Sequence, residues 1–426
     1  MARVYIETYG CALNKGDTAI MKTVLLKRGH SIVDDINEAD VIIINTCTVR
    51  YDTEQKMIKR ILELRRLAHE GKKLIIAGCM AKAQPYLVSK LAPEASLVSP
   101  QNTENIWIPV ESKDKVILLS GERKRNILGL VLEDKIAVIP IQEGCLGNCS
   151  FCIVKNARRQ LVSYPMEKII DHAKKLIERG AIEIELSGQD TATYGIDLYG
   201  KQKLPELVAK ITDIKGMFMI RIGMMNPDTM RNILDEIIEA LKNPKVYKFL
   251  HIPIQSGSDK VLKIMRRRYT VDEFREIVKE LRRKIIGITI ATDIIVGHPG
   301  EEDEDFEATL NILRELEFDR IHIAQYSIRP NTLSASLPQV PSHIKKKRMH
   351  VILKTMEDIC LKKHREYVGS TSYVIVTEKG CPRPVGRLFN YIPVVLENAN
   401  EDLVSKVIKA KIRDATFYDL RGLVIT

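Results

Sequence analysis

Cys145, Cys149 and Cys152 stand in the run C-L-G-N-C-S-F-C, a C-x3-C-x2-C spacing. The run follows a strand-like segment and carries Gly147, so it reads as a loop. Three thiolates this close can ligate three irons of a 4Fe–4S cube and leave the fourth iron open to a small molecule. A zinc site would want a fourth ligand nearby, and the nearest histidine, His172, is one helix away. A redox C-x2-C would use Cys149 and Cys152 and leave Cys145 idle.

Cys11, Cys47 and Cys79 are far apart in sequence, yet each closes a similar phrase: T-Y-G-C, I-N-T-C and I-A-G-C. Each lies just past a strand candidate. In a parallel sheet the strand C-termini share one edge, where such folds build their sites, so three thiols would converge there. The plainer alternative is three small packed residues, since free cysteine is often simply buried. Cys360, on a helix, and Cys381, beside Pro382, read as packing or surface thiols.

The chain that must position these thiols has 426 residues, with 66 Lys+Arg, 55 Asp+Glu and a formal net charge of +11. Its 45% hydrophobic content excludes a largely disordered chain. Eight cysteines are too few for a disulfide-stapled mini-protein. The basic excess points to an acidic partner, nucleic acid before membrane. No segment approaches the ~18 apolar residues of a membrane span, and the N-terminus M-A-R-V-Y-I-E-T-Y-G-C enters a strand pattern without a signal peptide. The expectation is a cytoplasmic protein with reduced cysteines.

Hydrophobic periodicity divides the chain into three α/β and β segments. Residues 1–125 alternate strand candidates (4–8, 41–44, 74–77) with helices (18–27, 54–68), which predicts a doubly wound parallel sheet. Residues 113–134, broken by Gly121 and Gly129, read as a linker. Across 135–366 six strand candidates (136–141, 182–186, 218–222, 248–252, 289–296 and 320–325) alternate with helices. That predicts a partial (β/α)6 barrel, because a complete eightfold one needs ~250 residues. Short β-rich runs in 367–426 (372–377, 386–389, 392–396, 403–410 and 422–426) predict a small β-barrel.

On these motifs the chain resembles the radical S-adenosylmethionine (SAM) superfamily and, within it, the methylthiotransferases. T-Y-G-C-A-L-N-K-G-D (8–17), I-N-T-C-T-V (44–49) and A-G-C-M (77–80) resemble the cysteine motifs of that family's N-terminal domain. E-L-S-G-Q-D (185–190), R-I-G-M-M-N-P (221–227), H-I-P-I-Q-S-G-S (251–258) and T-D-I-I-V-G-H-P-G-E (292–301) resemble its barrel segments, and the last 60 residues a TRAM domain, a small RNA-binding β-barrel. The run 152–165 and R-I-G-M-M-N-P most resemble the archaeal and eukaryotic tRNA branch. Its members convert N6-threonylcarbamoyladenosine at position 37 to the 2-methylthio derivative. Arg159 departs from the branch's common Gly, and His298 from the frequent Phe; both lie near the expected site.

The resemblance implies two 4Fe–4S clusters and SAM as cofactors. Cys145, Cys149 and Cys152 would hold the cluster whose open iron binds SAM and whose electron cleaves it to a 5′-deoxyadenosyl radical. Cys11, Cys47 and Cys79 would hold an auxiliary cluster at which sulfur is methylated by a second SAM and delivered to adenine C2. An aryl-like C–H bond resists acid–base chemistry, which is why a radical cofactor is needed. Gly188, Gln189, Arg221, Gln255, Ser256, Gly297 and Tyr326, all at expected strand ends, are the SAM-binding candidates. Arg221 could pair with a carboxylate. Two basic runs, Arg266–Arg268 within a 263–284 segment of nine Lys/Arg against four Asp/Glu, and Lys345–Arg348, are candidate phosphate contacts. The implied partners are a tRNA anticodon stem-loop, an electron donor such as a ferredoxin or flavodoxin, and a sulfur donor, with no membrane. A monomer suits the three-domain plan. The isopentenyl-adenosine tRNA branch and the branch that acts on a ribosomal-protein aspartate are the alternative substrates.

Overall fold

The computed structural model describes residues 1–69, 71–125, 128–129, 132, 135–380 and 382–425; Cys381 lies outside the described residues. The apolar runs of the first third form a six-stranded parallel sheet: β1 (Arg3–Thr8), β2 (Ser31–Ile32), β3 (Val41–Thr46), β4 (Lys73–Gly78), β5 (Ser96–Val98) and β6 (Ile117–Leu118), in the order β2-β1-β3-β4-β5-β6. The central strands are covered on both faces, which is why they read as unbroken apolar runs. Met57, Ile61 and Leu64 of the helix Tyr51–His69 pack on one face and Ile20, Met21 and Leu25 of the helix Ala12–Lys27 on the other.

Two differences from the sequence expectation matter for the site. The first helix begins at Ala12, not at residue 18. Its first turns bury Asn14, Asp17 and Thr18, so the usual polar-out pattern is reversed there. The segment 113–134, expected to be a linker, supplies the edge strand β6 and the buried Arg123.

The barrel strands are β7 (Ile136–Pro140), β10 (Glu183–Ser187), β11 (Met219–Ile222), β12 (Phe249–His251), β13 (Thr289–Val296) and β14 (Arg320–Gln325). They form two parallel sheets, β11-β10-β7 and β12-β13-β14, linked by a bridge between Ile220 and Val246. A two-stranded antiparallel pair, β8 (Gln142–Glu143) and β9 (Val162–Ser163), clamps the ends of the cysteine loop. The helix Ser342–Arg365 lies along β14, and Cys360 is packed in the barrel core.

The chain ends in a closed five-stranded barrel: β15 (Thr371–Glu378), β16 (Val385–Arg387), β17 (Pro393–Leu396), β18 (Val407–Ala415) and β19 (Leu420–Ile425). β18 starts and ends later than the sequence suggests. Residues 401–403 form a 3-10 turn, and Lys411 and Arg413 are outward-facing strand positions between buried Ala410, Ile412 and Ala415. This barrel docks at the N-terminal ends of the central strands. The Tyr391 ring sits 4.8 Å from Tyr247 and 4.9 Å from Phe249, and its hydroxyl donates to Glu183 at 3.0 Å. Among the described residues no helix is long and apolar enough to cross a membrane.

Three histidines give the fold a pH signature. Burial lowers His172, His298 and His322 to about 4 each, and His172 Nε2 lies 2.8 Å from the Gly129 carbonyl. A histidine that titrates near 6.5 when unfolded and near 4 when folded contributes stability that is whole above 6.5 and lost as pH falls towards 4. Apoprotein melting temperature should therefore fall across that window. His172→Gln, which keeps a donor for Gly129, should shrink the fall; an unchanged slope would refute the assignment for this residue.

Candidate active site

The C-terminal edge of the first sheet faces the C-terminal mouth of the partial barrel. β1, β3 and β4 end at Thr8, Thr46 and Gly78, and the three dispersed cysteines follow within three residues. Cys11 caps the helix Ala12–Lys27, Cys47 follows β3, and Cys79 opens a short helix. Cys145, Cys149 and Cys152 come from the loop between β8 and β9. All six line one cavity of about 470 Å³.

The surroundings of these thiols fit clusters. Burial pushes Cys79 and Cys145 up to about 12 and Cys152 to about 11, and raises Cys47. The free chain thus keeps them protonated, and metal loading would release those protons. Space is left beside them. A Cβ at Gly147 would stand 3.2 Å from Cys145 Sγ, and one at Gly10 would press on Cys47 Cβ at 2.7 Å. Gln255 also lines the cavity. Its backbone is held at φ 72°, a strained conformation that clusters at functional sites. Its buried Oε1 has no hydrogen-bond partner among the described residues, which suits a ligand that donates to it.

Of the SAM-binding candidates, Gly188, Gln189, Arg221 and Gln255 line this cavity. The Gln189 side-chain oxygen accepts from the Gly144 N–H at 2.7 Å and so braces the cysteine loop. Arg221 is ion-paired to Glu185 deep in the barrel lumen and lies over the rings of Phe249 and Tyr391. Ser256 and Gly297 sit behind the wall: Ser256 Oγ accepts from the Ser258 N–H, and Gly297 packs on the stem of Lys345. Tyr326 lines a neighbouring pocket.

Several residues that the sequence reading missed hold the cysteines. Arg158 is fully buried; its Nε lies 3.3 Å from Cys79 Sγ, one terminal nitrogen donates to Asn14 at 3.1 Å, and the other to Glu143 at 2.6 Å. It also pairs with Asp17. Arg123 completes a buried quartet, 2.6 Å from Asp17 and 3.4 Å from Glu143. Two cations and two anions from both sides of the cavity thus neutralise one another, as buried charges must. On the barrel side Arg267 approaches Cys149 Sγ at 3.2 Å, and Asn226, anchored on buried Asp190 at 2.9 Å, approaches Cys145 Sγ at 3.8 Å. The one available signal was Asn14, Asp17 and Thr18, polar at the helical spacing that continues into the apolar Met21 and Leu25.

The structure divides each of the two basic runs between engaged and exposed side chains. Arg267 is half-buried against the cavity, Arg268 pairs with Asp228 at 2.9 Å, and Arg266 is exposed. Lys345 is buried on Tyr326 and Arg348 on Glu301 and Asp303, so of that run Lys346 and Lys347 remain exposed. A cationic side chain beside an apolar strand end is as ready to brace a loop as to meet a phosphate. Arg159 is exposed and does not line the cavity. His298 is buried edge-on between Phe151 and Tyr326.

A second pocket of about 530 Å³ adjoins the cysteine cavity, sharing Val49 and Phe151 with it. Its floor is Ile295, Ile323 and Ala324, and its rim carries Arg50, Lys346 and His350.

The chain is similar to known proteins in family, in sequence and in fold. The Radical SAM superfamily model matches residues 139–313, and the model of the uncharacterized protein family UPF0004 matches residues 3–99. A Methanocaldococcus jannaschii protein named "Probable threonylcarbamoyladenosine tRNA methylthiotransferase" is 42% identical, over 99% of this chain and 97% of its own. The Homo sapiens protein named "Threonylcarbamoyladenosine tRNA methylthiotransferase" is 34% identical, over 99% of this chain and 73% of its own. In fold, the chain is similar to the radical S-adenosylmethionine methyltransferase TsrM from Kitasatospora setae, with a TM-score of 0.57 and 13% identity over 78% of this chain and 75% of that one. With full-length identity at this level and six cysteines around one cavity, the chain belongs to the threonylcarbamoyladenosine tRNA methylthiotransferase family of the radical SAM superfamily.

Proposed function

We propose that this protein methylthiolates C2 of N6-threonylcarbamoyladenosine at position 37 of tRNA, giving 2-methylthio-N6-threonylcarbamoyladenosine. The observation that carries this is the convergence of two cysteine triplets on one cavity in a chain whose full-length relatives bear that name. Cys145, Cys149 and Cys152 hold one 4Fe–4S cluster and Cys11, Cys47 and Cys79 the other. When bound, these groups supply what side chains lack: an electron for SAM cleavage and a sulfur to which a methyl group and then carbon can be joined.

The chain's own work is placement. Arg267 and Asn226 set the orientation of Cys149 and Cys145, and Arg158 that of Cys79. Gly188 and Gln255 form the wall of the SAM site, Gln189 braces its loop, and Arg221 with Glu185 makes a polar lumen beneath it. Ser256, Gly297 and Tyr326 support that wall from behind. Residues 1–125 carry the auxiliary cluster, 135–366 the SAM chemistry, and 367–426 contact RNA. Position 37 lies in a single-stranded loop, so its base can be turned into the cavity at modest cost. A ferredoxin or flavodoxin supplies electrons, a separate donor supplies sulfur, and the monomeric enzyme works in the cytoplasm on the anticodon stem-loop.

Mass spectrometry of tRNA nucleosides from a deletion strain tests the substrate. The 2-methylthio derivative of N6-threonylcarbamoyladenosine should vanish and its unthiolated precursor accumulate. An unchanged level, or loss instead of methylthiolated isopentenyl-adenosine or of a ribosomal-protein modification, would reject the assignment.

A further inference from the structure

The second pocket has a composition that the reaction at the cysteines does not call for. Arg50, just before the helix Tyr51–His69, and Lys346 and His350, one turn apart on the helix Ser342–Arg365, are exposed at its rim. None of the three forms an ion pair among the described residues, although Arg50 acts on the Asp293 carboxylate through space, whereas Lys345 and Arg348 beside them are buried and engaged. Arg329, also in the wall, is 3% exposed. It spends one nitrogen on Glu54 at 2.7 Å and another on Ser327 at 3.0 Å, and its buried Nε has no partner. Asp52 is the acidic residue of the lining. The helix Tyr51–His69 points its positive end at the same space. The pocket is therefore cationic above and, at Ile295, Ile323 and Ala324, apolar below.

Adenine carries C2 and N6 on one edge, either side of N1. A base whose C2 meets the cysteine wall must project its N6 substituent sideways along that edge, and Val49 and Phe151 are where the two cavities adjoin. The threonylcarbamoyl arm ends in a carboxylate and a methyl-bearing carbon, which matches a cationic rim over an apolar floor. We propose that this second pocket is the subsite for the threonylcarbamoyl arm, with its carboxylate held by Arg50 and Lys346 and its methyl group over Ile295, Ile323 and Ala324. This inference rests on the substrate reading above and deepens it: the pocket selects the carboxylate-bearing base over other N6-substituted adenosines.

The test measures binding of three anticodon stem-loops to the anaerobically reconstituted holoenzyme. The RNAs carry N6-threonylcarbamoyladenosine, its threonine carboxamide, or unmodified adenosine at position 37. Wild type should prefer the acid over the amide by about tenfold or more, the scale of a charge-assisted contact. Arg50→Ala with Lys346→Ala should bring the acid down to the amide's affinity, leave the unmodified RNA within about twofold, and keep the melting temperature, since both residues are exposed. Equal affinity of wild type for acid and amide would overturn the proposal. So would a variant that weakens all three RNAs alike, which would make these residues phosphate contacts. Turnover of the acid-bearing RNA by wild type, run in parallel, separates the two readings. Turnover without carboxylate discrimination sinks the subsite alone; no turnover sinks the substrate assignment beneath it.

Discussion

Arg158→Met should cost the apoprotein about 3–5 kcal/mol, the scale of a broken buried ion pair. Methionine has similar reach and no charge, so the change leaves Asp17 and Glu143 buried with Arg123 as their sole cation. It also strips Asn14 and Cys79 of a donor. Because Asp17 and Glu143 belong to different layers, the loss should appear as reduced cooperativity between the N-terminal sheet and the barrel as well as a lower denaturation midpoint. Arg158→Lys should rescue little, since one ammonium cannot serve four partners set in a planar fork. Adding Asp17→Asn to Arg158→Met removes the orphaned charge and should recover part of the loss. A cost under about 1 kcal/mol for Arg158→Met, a surface-pair value, would show that the quartet does not join the two layers.

The second large effect is on iron. Anaerobically reconstituted wild-type protein should bind about eight irons, two 4Fe–4S cubes, and Cys149→Ala and Cys47→Ala about four each. The two variants should then part company. Cys149→Ala should abolish formation of 5′-deoxyadenosine, while Cys47→Ala should retain it and lose methylthio transfer. About four irons in wild type would remove the auxiliary cluster, and methylthiolation with it. Persistent deoxyadenosine from Cys149→Ala would remove that residue from the ligand set.

The cysteines were legible because their chemistry is carried by identity and spacing. C-x3-C-x2-C is local, and three cysteines each following a strand are gathered by the rule that parallel strands end on one edge. The barrel strands were legible for a different reason: they alternate, with Ile184, Leu186, Ile220 and Ile222 packed in the core and Glu185 and Arg221 turned into the lumen. The supporting residues were not. Arg158 and Arg267 sit in polar runs that read as solvated, and only tertiary contact reveals that each turns inward onto a thiol. Asp17 and Arg123 are 106 residues apart and meet across the molecule, a pairing no local pattern encodes. The segment around Ile117 failed for want of length, since a two-residue edge strand has no periodicity to detect.

The docking of the C-terminal barrel changes how truncations should be read. Tyr391 lies beneath Arg221, whose guanidinium faces the same lumen as the cysteines, with Tyr247 and Phe249 around it. The small barrel is thus a stopper in the floor of a reaction vessel in which water and stray hydrogen donors are competitors. Removing residues 367–426 would uncork that vessel from below, so an inactive truncation need not mean lost grip on RNA. A Tyr391→Ala chain, which keeps the outer surface and opens the floor, separates sealing from binding: unproductive SAM cleavage should rise relative to methylthio transfer while RNA affinity holds.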